Sequence, residues 1–146
     1  MKYYAVFDTN VLVSSLLTKN RDSATVKVVD AVSDGVIAPL YNREILEEYE
    51  QVLHRAKFPF SENSIRNVIN IIIQFGFEIT SVLSYPEEKD MPDKGDIVFY
   101  RVVMEKRDDD AYLITGNSRH FPDRPFIVTP AEMVKIIKNN SEARDF

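Results

Sequence analysis

The stretch Tyr4-Ala-Val-Phe-Asp-Thr-Asn-Val-Leu-Val-Ser14 restricts the fold more than any other part of the chain. An apolar run rich in β-forming residues climbs to one carboxylate, Asp8. It then passes at once into small polar residues and a second apolar run. That pattern is a strand feeding directly into a helix, with Asp8 at the carboxyl end of the strand. Open α/β sheets gather their ligand sites at this edge. A buried strand seldom ends in a bare carboxylate unless something pairs with it or binds it.

The rest of the chain repeats the alternation. Lys2 to Phe7 reads as a strand, and Thr9 or Asn10 can cap a short helix to about Leu17. Ser23 starts a second helix that Gly35 ends, and Val36 to Leu40 is a short strand. Asn42 caps a helix over Arg43 to Ala56, in which Ile45, Tyr49, Val52, Leu53 and Ala56 form one apolar stripe. Phe58-Pro-Phe60 breaks the chain, and Ser61 opens a helix that runs to Phe75 and stops at Gly76. Phe77 to Leu83 has strand-like composition, and Ser84 to Gly95 is a polar connector. A helix from Lys94 to Glu105, a strand from Ala111 to Thr115, a strand from Phe126 to Thr129 and a last helix opened by Pro130 complete the series. Alternating strands and helices predict an α/β fold, a three-layer α/β/α sandwich around a central parallel sheet.

With 146 residues the chain reads as a single domain over 1–146, long enough to bury a core. It has no cysteine, which excludes a disulfide scaffold, a thiolate metal site and a cysteine nucleophile. It shows no secretory signal pattern, and no apolar run reaches the roughly 18 residues of a membrane span. A cytoplasmic location without membrane association is the expectation. The net charge is −5, whereas a domain gripping nucleic acid through phosphates alone is usually basic. A nucleic-acid partner would therefore require bound cations or a local basic strip.

Four polar positions fall at element ends that this architecture can bring together. Asp8 follows the first strand, and Glu44 lies in the first turn of the helix after Asn42. Asp93 and Asp96 flank the start of the helix after the connector, and Asn117 follows Tyr112-Leu-Ile-Thr-Gly116. Each except Asp8 has a structural reading of its own. The helix dipole favours Glu44, Asp93 and Asp96 suit a capping box, and Asn117 is a common turn residue. Taken together they suggest more. Carboxylates converging within about 5 Å repel one another, and a hard divalent cation relieves that repulsion. Oxygen donors suit Mg²⁺ or Mn²⁺, and two histidines without cysteine make a zinc centre of the usual kind a poor fit. Such a metal activates water and neutralises charge developing on a phosphodiester.

The chain resembles the PIN-domain nucleases, and more closely the VapC-type toxins of toxin–antitoxin operons. The resemblance rests on Ala5-Val-Phe-Asp-Thr-Asn-Val-Leu-Val-Ser14, Asn42-Arg-Glu-Ile-Leu-Glu-Glu-Tyr-Glu-Gln-Val-Leu53 and Tyr112-Leu-Ile-Thr-Gly-Asn-Ser-Arg-His-Phe-Pro122, in that order. It implies a PIN fold and an endoribonuclease that hydrolyses RNA with Mg²⁺ or Mn²⁺. By motif position it makes Asp8 the first acidic residue, Glu44 the second and Asp96 the third, with Asp93 a competitor for the third place. Asn117 stands where many members have a fourth acid. The amide can offer an oxygen to a metal or its water but brings no charge, which weakens a second metal site more than the first.

The resemblance thus implies Asp8, Glu44, Asp96 and Asn117 as catalytic residues, the metal lying on Asp8, Glu44, Asp96 and Asp93. Thr9 and Asn10 either support the Asp8 carboxylate or cap the next helix. Arg119 and His120 are candidates for RNA contact, and His120 can equally be a packed loop histidine. A small antitoxin with a basic tail is the implied partner, suited to the acidic charge, and homodimers are common in the family. Two rivals stand beside this reading. A catalytically weak or inactive PIN-like domain would act by binding RNA or protein, as Asn117 suggests. A phosphotransfer enzyme of the haloacid dehalogenase type would place a second Asp two residues after Asp8, where this chain has Asn10.

Overall fold

The computed structural model describes residues 2–144. Five strands, β1 (Tyr3–Phe7), β2 (Ile37–Tyr41), β3 (Phe77–Glu78), β4 (Tyr112–Ile114) and β5 (Ile127–Val128), form one parallel sheet in the order β3-β2-β1-β4-β5. Six α-helices flank it: α1 (Thr9–Leu17), α2 (Ala24–Ser33), α3 (Arg43–Leu53), α4 (Glu62–Phe75), α5 (Ile97–Glu105) and α6 (Pro130–Arg144). Helices α2 and α4 pack on β2, and α5 lies across β1 and β4. The expected α/β sandwich with a central parallel sheet is what the chain forms.

The sheet is buried as covered parallel sheets are. All five residues of β2 are buried, and Ala5, Val6 and Phe7 have no exposed surface. Proline is rare inside a central strand because it cannot donate to a neighbour. Pro39 is tolerated because of where its missing N–H points. The Tyr41 carbonyl accepts from the Ile79 N–H on the β3 side, so Pro39, two residues earlier, faces that side too. There β3 pairs with β2 only from Leu40 onward.

Several boundaries differ from the expectations. The strand expected over Phe77 to Leu83 is two residues long, since β2 ends at Tyr41 and leaves no neighbour for residues beyond Ile79. Helix α3 ends at Leu53 and not at Ala56, because the Arg55 N–H turns back to the Val52 carbonyl and Phe58 to that of Arg55. Neither Thr9 nor Asn10 caps α1. Asp8 takes the N-cap place, without a side-chain cap bond, because the helix begins immediately after β1. The polar connector contains 3-10 turns over Pro86–Asp90 and Lys94–Asp96. It is anchored by buried Glu88, whose carboxylate receives the Arg101 guanidinium at 2.9 and 2.8 Å. The Tyr85 N–H donates to that carboxylate as well. The caps expected at Ser23, Asn42 and Ser61 are formed, on Val26, Ile45 and Ser64 respectively.

Candidate active site

The strand order reverses direction between β1 and β4. From β1 the chain moves outward to β2 and β3, and then returns to place β4 on the other side of β1. The crevice beyond the carboxyl ends of two such strands is the usual ligand position in open α/β sheets. Register puts Phe7 beside Ile114, and the Asp8 N–H donates to the Ile114 carbonyl at 2.9 Å. Asp8 and Thr115 are therefore the first residues past these two strands, side by side at that crevice.

Asp8 is 4% exposed and its Oδ2 carries two side-chain donors. The Thr115 hydroxyl donates at 2.7 Å and the Asn10 amide at 3.2 Å. Thr115 Oγ1 in turn accepts from the Asn117 N–H at 2.9 Å, and Asn10 Oδ1 accepts from the Gly116 N–H at 3.1 Å. The loops after β1 and β4 are stitched together through one carboxylate oxygen. Burial nevertheless pushes the Asp8 carboxyl up to about 6, with the charge of Asp96 adding to the rise. The Thr115 hydrogen bond and, more weakly, the Thr9 backbone N–H and His120 oppose it.

Asp96 opens α5 and accepts or shares a proton with His120 Nδ1 at 3.1 Å. Its carboxyl is raised by burial and by Asp93, against the pull of His120. Asp93 itself accepts from the Gly95 N–H at 2.9 Å, the capping role its position allowed. Helix α3 is anchored to the same edge by Tyr49, fully buried, whose hydroxyl donates to the Phe7 carbonyl at 2.5 Å. Its neighbour Glu48 is half-buried, and its carboxyl is raised by burial and by the charges of Asp96 and Asp93, with Arg55 opposing. Glu44, one turn earlier on the same side, is exposed, and its charge acts on Arg101. Both glutamates line a cleft between α3 and α5 with Lys94 and Arg101.

The fold thus joins Asp8, Asn10, Asp96 and His120 into one neighbourhood, with Thr9 beside them. The Thr9 hydroxyl is buried without a hydrogen-bond partner. Asn117 enters through its backbone, while its side chain and that of Arg119 lie on the exposed loop beyond β4. Sequence reasoning passed over Thr115 and Glu48. Thr115 could have been found by aligning the ends of the two apolar strands, and Glu48 by its place beside the buried stripe. At about 100° per residue Glu48 lies nearer to Ile45, Tyr49 and Val52 than Glu44 does.

The donor chemistry suits a hard divalent cation. The acidic donors are all oxygen. The charge of Asp96 helps to raise the Asp8 and Glu48 carboxyls and that of Asp93 helps to raise Asp96, an effect a cation would reverse. Among the described residues, no three acidic or histidine side chains draw together as a ready metal cluster. No described helix is long and apolar enough to cross a membrane. No curated protein and no solved structure matches the chain. The family model for the PIN domain, a fold of generally metal-using nucleases, matches residues 4–119 and so takes in Asp8, Glu44, Glu48, Asp96, Thr115 and Asn117. The chain belongs to the PIN-domain family.

Proposed function

We propose that this protein is a Mg²⁺- or Mn²⁺-dependent endoribonuclease that hydrolyses RNA phosphodiester bonds at the β1/β4 crevice. The observation that carries the reading is Asp8. It is a buried carboxylate at the switch point, with one oxygen occupied by Thr115 and Asn10 and an opposing acid, Asp96, near enough to raise it. Asp8 and Asp96 would hold the cation, with Glu48 and Glu44 offering the α3 carboxylates and Asp93 a further one. A bound divalent ion supplies water activation and neutralises charge on the scissile phosphate.

The chain's own residues prepare that chemistry. Thr115 and Asn10 keep Asp8 in one orientation through Oδ2, which leaves Oδ1 without a side-chain donor. His120 steadies Asp96. The Asn117 amide, on the exposed loop, would orient a phosphate oxygen or a water, and Arg119 beside it would meet the RNA backbone. A toxin role with a small basic-tailed antitoxin is the biological setting we propose, supported by the motif resemblance and the net charge of −5. A cytoplasmic location and a homodimer belong to the same proposal.

The test is thermal stabilisation by Mn²⁺, followed by cleavage of an RNA panel. Wild type is expected to gain stability and cut RNA, and Asp8→Asn to do neither. Absence of both effects in wild type would overturn the reading. The Asn117 amide, where an acid would complete the set, favours a second reading as a binding domain without catalysis. In that case Asp8→Asn keeps the biological effect.

A further inference from the structure

If RNA is the substrate, as proposed above, an acidic protein must still hold a polyanion beside its carboxylates. The segment Arg55-Ala-Lys-Phe-Pro-Phe60, between α3 and α4, has the means. Arg55 lies two residues past Leu53, the last residue of α3, the helix whose Glu44 and Glu48 line the acidic cleft. Its charge reaches the Glu48 carboxyl, which also responds to Asp96 and Asp93. The segment therefore leaves the end of a helix that lines the acidic cleft. Arg55 and Lys57 are exposed, and among the described residues neither has a carboxylate partner within 4.0 Å.

Two aromatic rings follow them. Phe58 and Phe60 stack with centroids 5.1 Å apart and planes 14° from parallel, and the Lys57 ammonium lies 5.2 Å from the Phe58 ring centre. Phe60 packs against the core, whereas Phe58 rests on Phe60 outside that cluster. Both rings are half-buried, but packing on the core accounts for Phe60 and not for Phe58. The loop is preset before any ligand arrives. Pro59 fixes the backbone between the rings. His54 at the end of α3 bonds Glu62 at the start of α4 at 2.6 Å, and Arg66 ties Glu62 to Glu50. Aromatic rings beside cations that have no carboxylate partner are the arrangement by which proteins hold single strands, with bases on the rings and phosphates on the charges. A folded acidic protein could use the cations, but a single strand offers a flat π-face and a phosphate together at every nucleotide.

We propose that Arg55, Lys57 and the Phe58–Phe60 stack form a guide for single-stranded RNA. Phe58 takes a base, and the two cations take the phosphates leading toward the β1/β4 crevice. The inference rests on the nuclease reading for its direction, but its test needs no catalysis. Fluorescence anisotropy in EDTA with a short labelled oligouridylate reads binding alone.

Phe58→Ala is expected to weaken binding about 5–150-fold, the range for losing one base–aromatic stack. Lys57→Gln, on an exposed side chain, is expected to keep the fold and lower the salt slope of log K by about 0.7. An abasic oligomer should bind wild type and Phe58→Ala alike. Equal binding of oligouridylate by wild type and both variants would overturn the guide, as would no measurable binding by wild type. Polyglutamate binding that falls in Phe58→Ala as much as RNA binding does would overturn it in favour of an acidic protein partner. The two readings separate cleanly. If the binding contrasts hold but Mn²⁺ brings no cleavage, the nuclease reading falls and the guide stands. If wild type cuts RNA and the variants cut and bind it equally well, the guide falls and the nuclease stands.

Discussion

Asp8 is held in a state that opposes its own ionisation. Its carboxyl sits near 6 in the folded chain against 3.8 as the ordinary value, so the native state binds more protons than the unfolded chain between those limits. The contribution to stability is full below about pH 3.8 and is lost as pH rises through 6. At neutral pH the ionised group therefore costs about 2–3 kcal/mol. Asp8→Asn keeps an oxygen to accept from Thr115 and removes the charge. It should stabilise the metal-free protein by about 2 kcal/mol at pH 7.5 and by almost nothing at pH 4, as urea unfolding at the two pH values will measure. Thr115→Val tests the opposite contact. It removes the donor that lowers the Asp8 carboxyl and leaves the Asn117 N–H without its acceptor. Stability should fall by about 1–3 kcal/mol, and an NMR titration should find Asp8 above 6. Asp8 could be picked out in the sequence because an apolar run announces it. Thr115 could not be picked out alone, because a hydroxyl after a strand gains meaning only when the ends of β1 and β4 are aligned in the parallel register that sets it beside Asp8. Glu48 was hidden by Glu44 and Glu47, and only the direction of the buried stripe separates them.

Helices α3 and α4 were legible because each repeats an apolar stripe over several turns, and the caps at Asn42 and Ser61 are local chemistry. The length of β3 was not, because a strand ends where its neighbour does, and β2 stops at Tyr41. Nor could composition reveal that the polar connector hides a buried acid, Glu88, paired to α5. Gly76 read only as a helix stop. In space it is the point where α4 meets β2, and a Cβ there would strike the carbonyl oxygens of Ile72 and Pro39. Both are backbone atoms of packed elements and cannot step aside. Gly76→Ala is expected to destabilise by about 1–3 kcal/mol, seen as a lower urea midpoint. Arg101→Leu should loosen the connector, since it leaves the Glu88 carboxylate without two charge-assisted bonds. A loss of about 2 kcal/mol is expected, with faster amide exchange over residues 85–96 and little change in β1.

At the scale of the molecule, the cation proposed for the crevice would link proton and fold. A cation that binds the folded protein raises its stability by about 2.7 kcal/mol at a hundred times its Kd. Because that cation needs Asp8 ionised, the Mn²⁺-induced rise in Tm should be large at pH 7.5 and shrink as pH falls through 6. A Tm shift independent of pH would place the ion elsewhere. Backbone pairing adds a further consequence. Residues 2–79 supply β1, β2 and β3, the later part supplies β4 and β5, and the two halves pair only where β1 meets β4. Asp8, Asn10 and Glu48 come from the first half, and Asp96, Thr115 and His120 from the second. During synthesis, then, the emerging first half holds a carboxylate with no hydroxyl to receive it and no opposing acid. Until Tyr112–Ile114 has left the ribosome and docked on β1, the crevice is unassembled, and the ribonuclease proposed here would be harmless to the RNA around it.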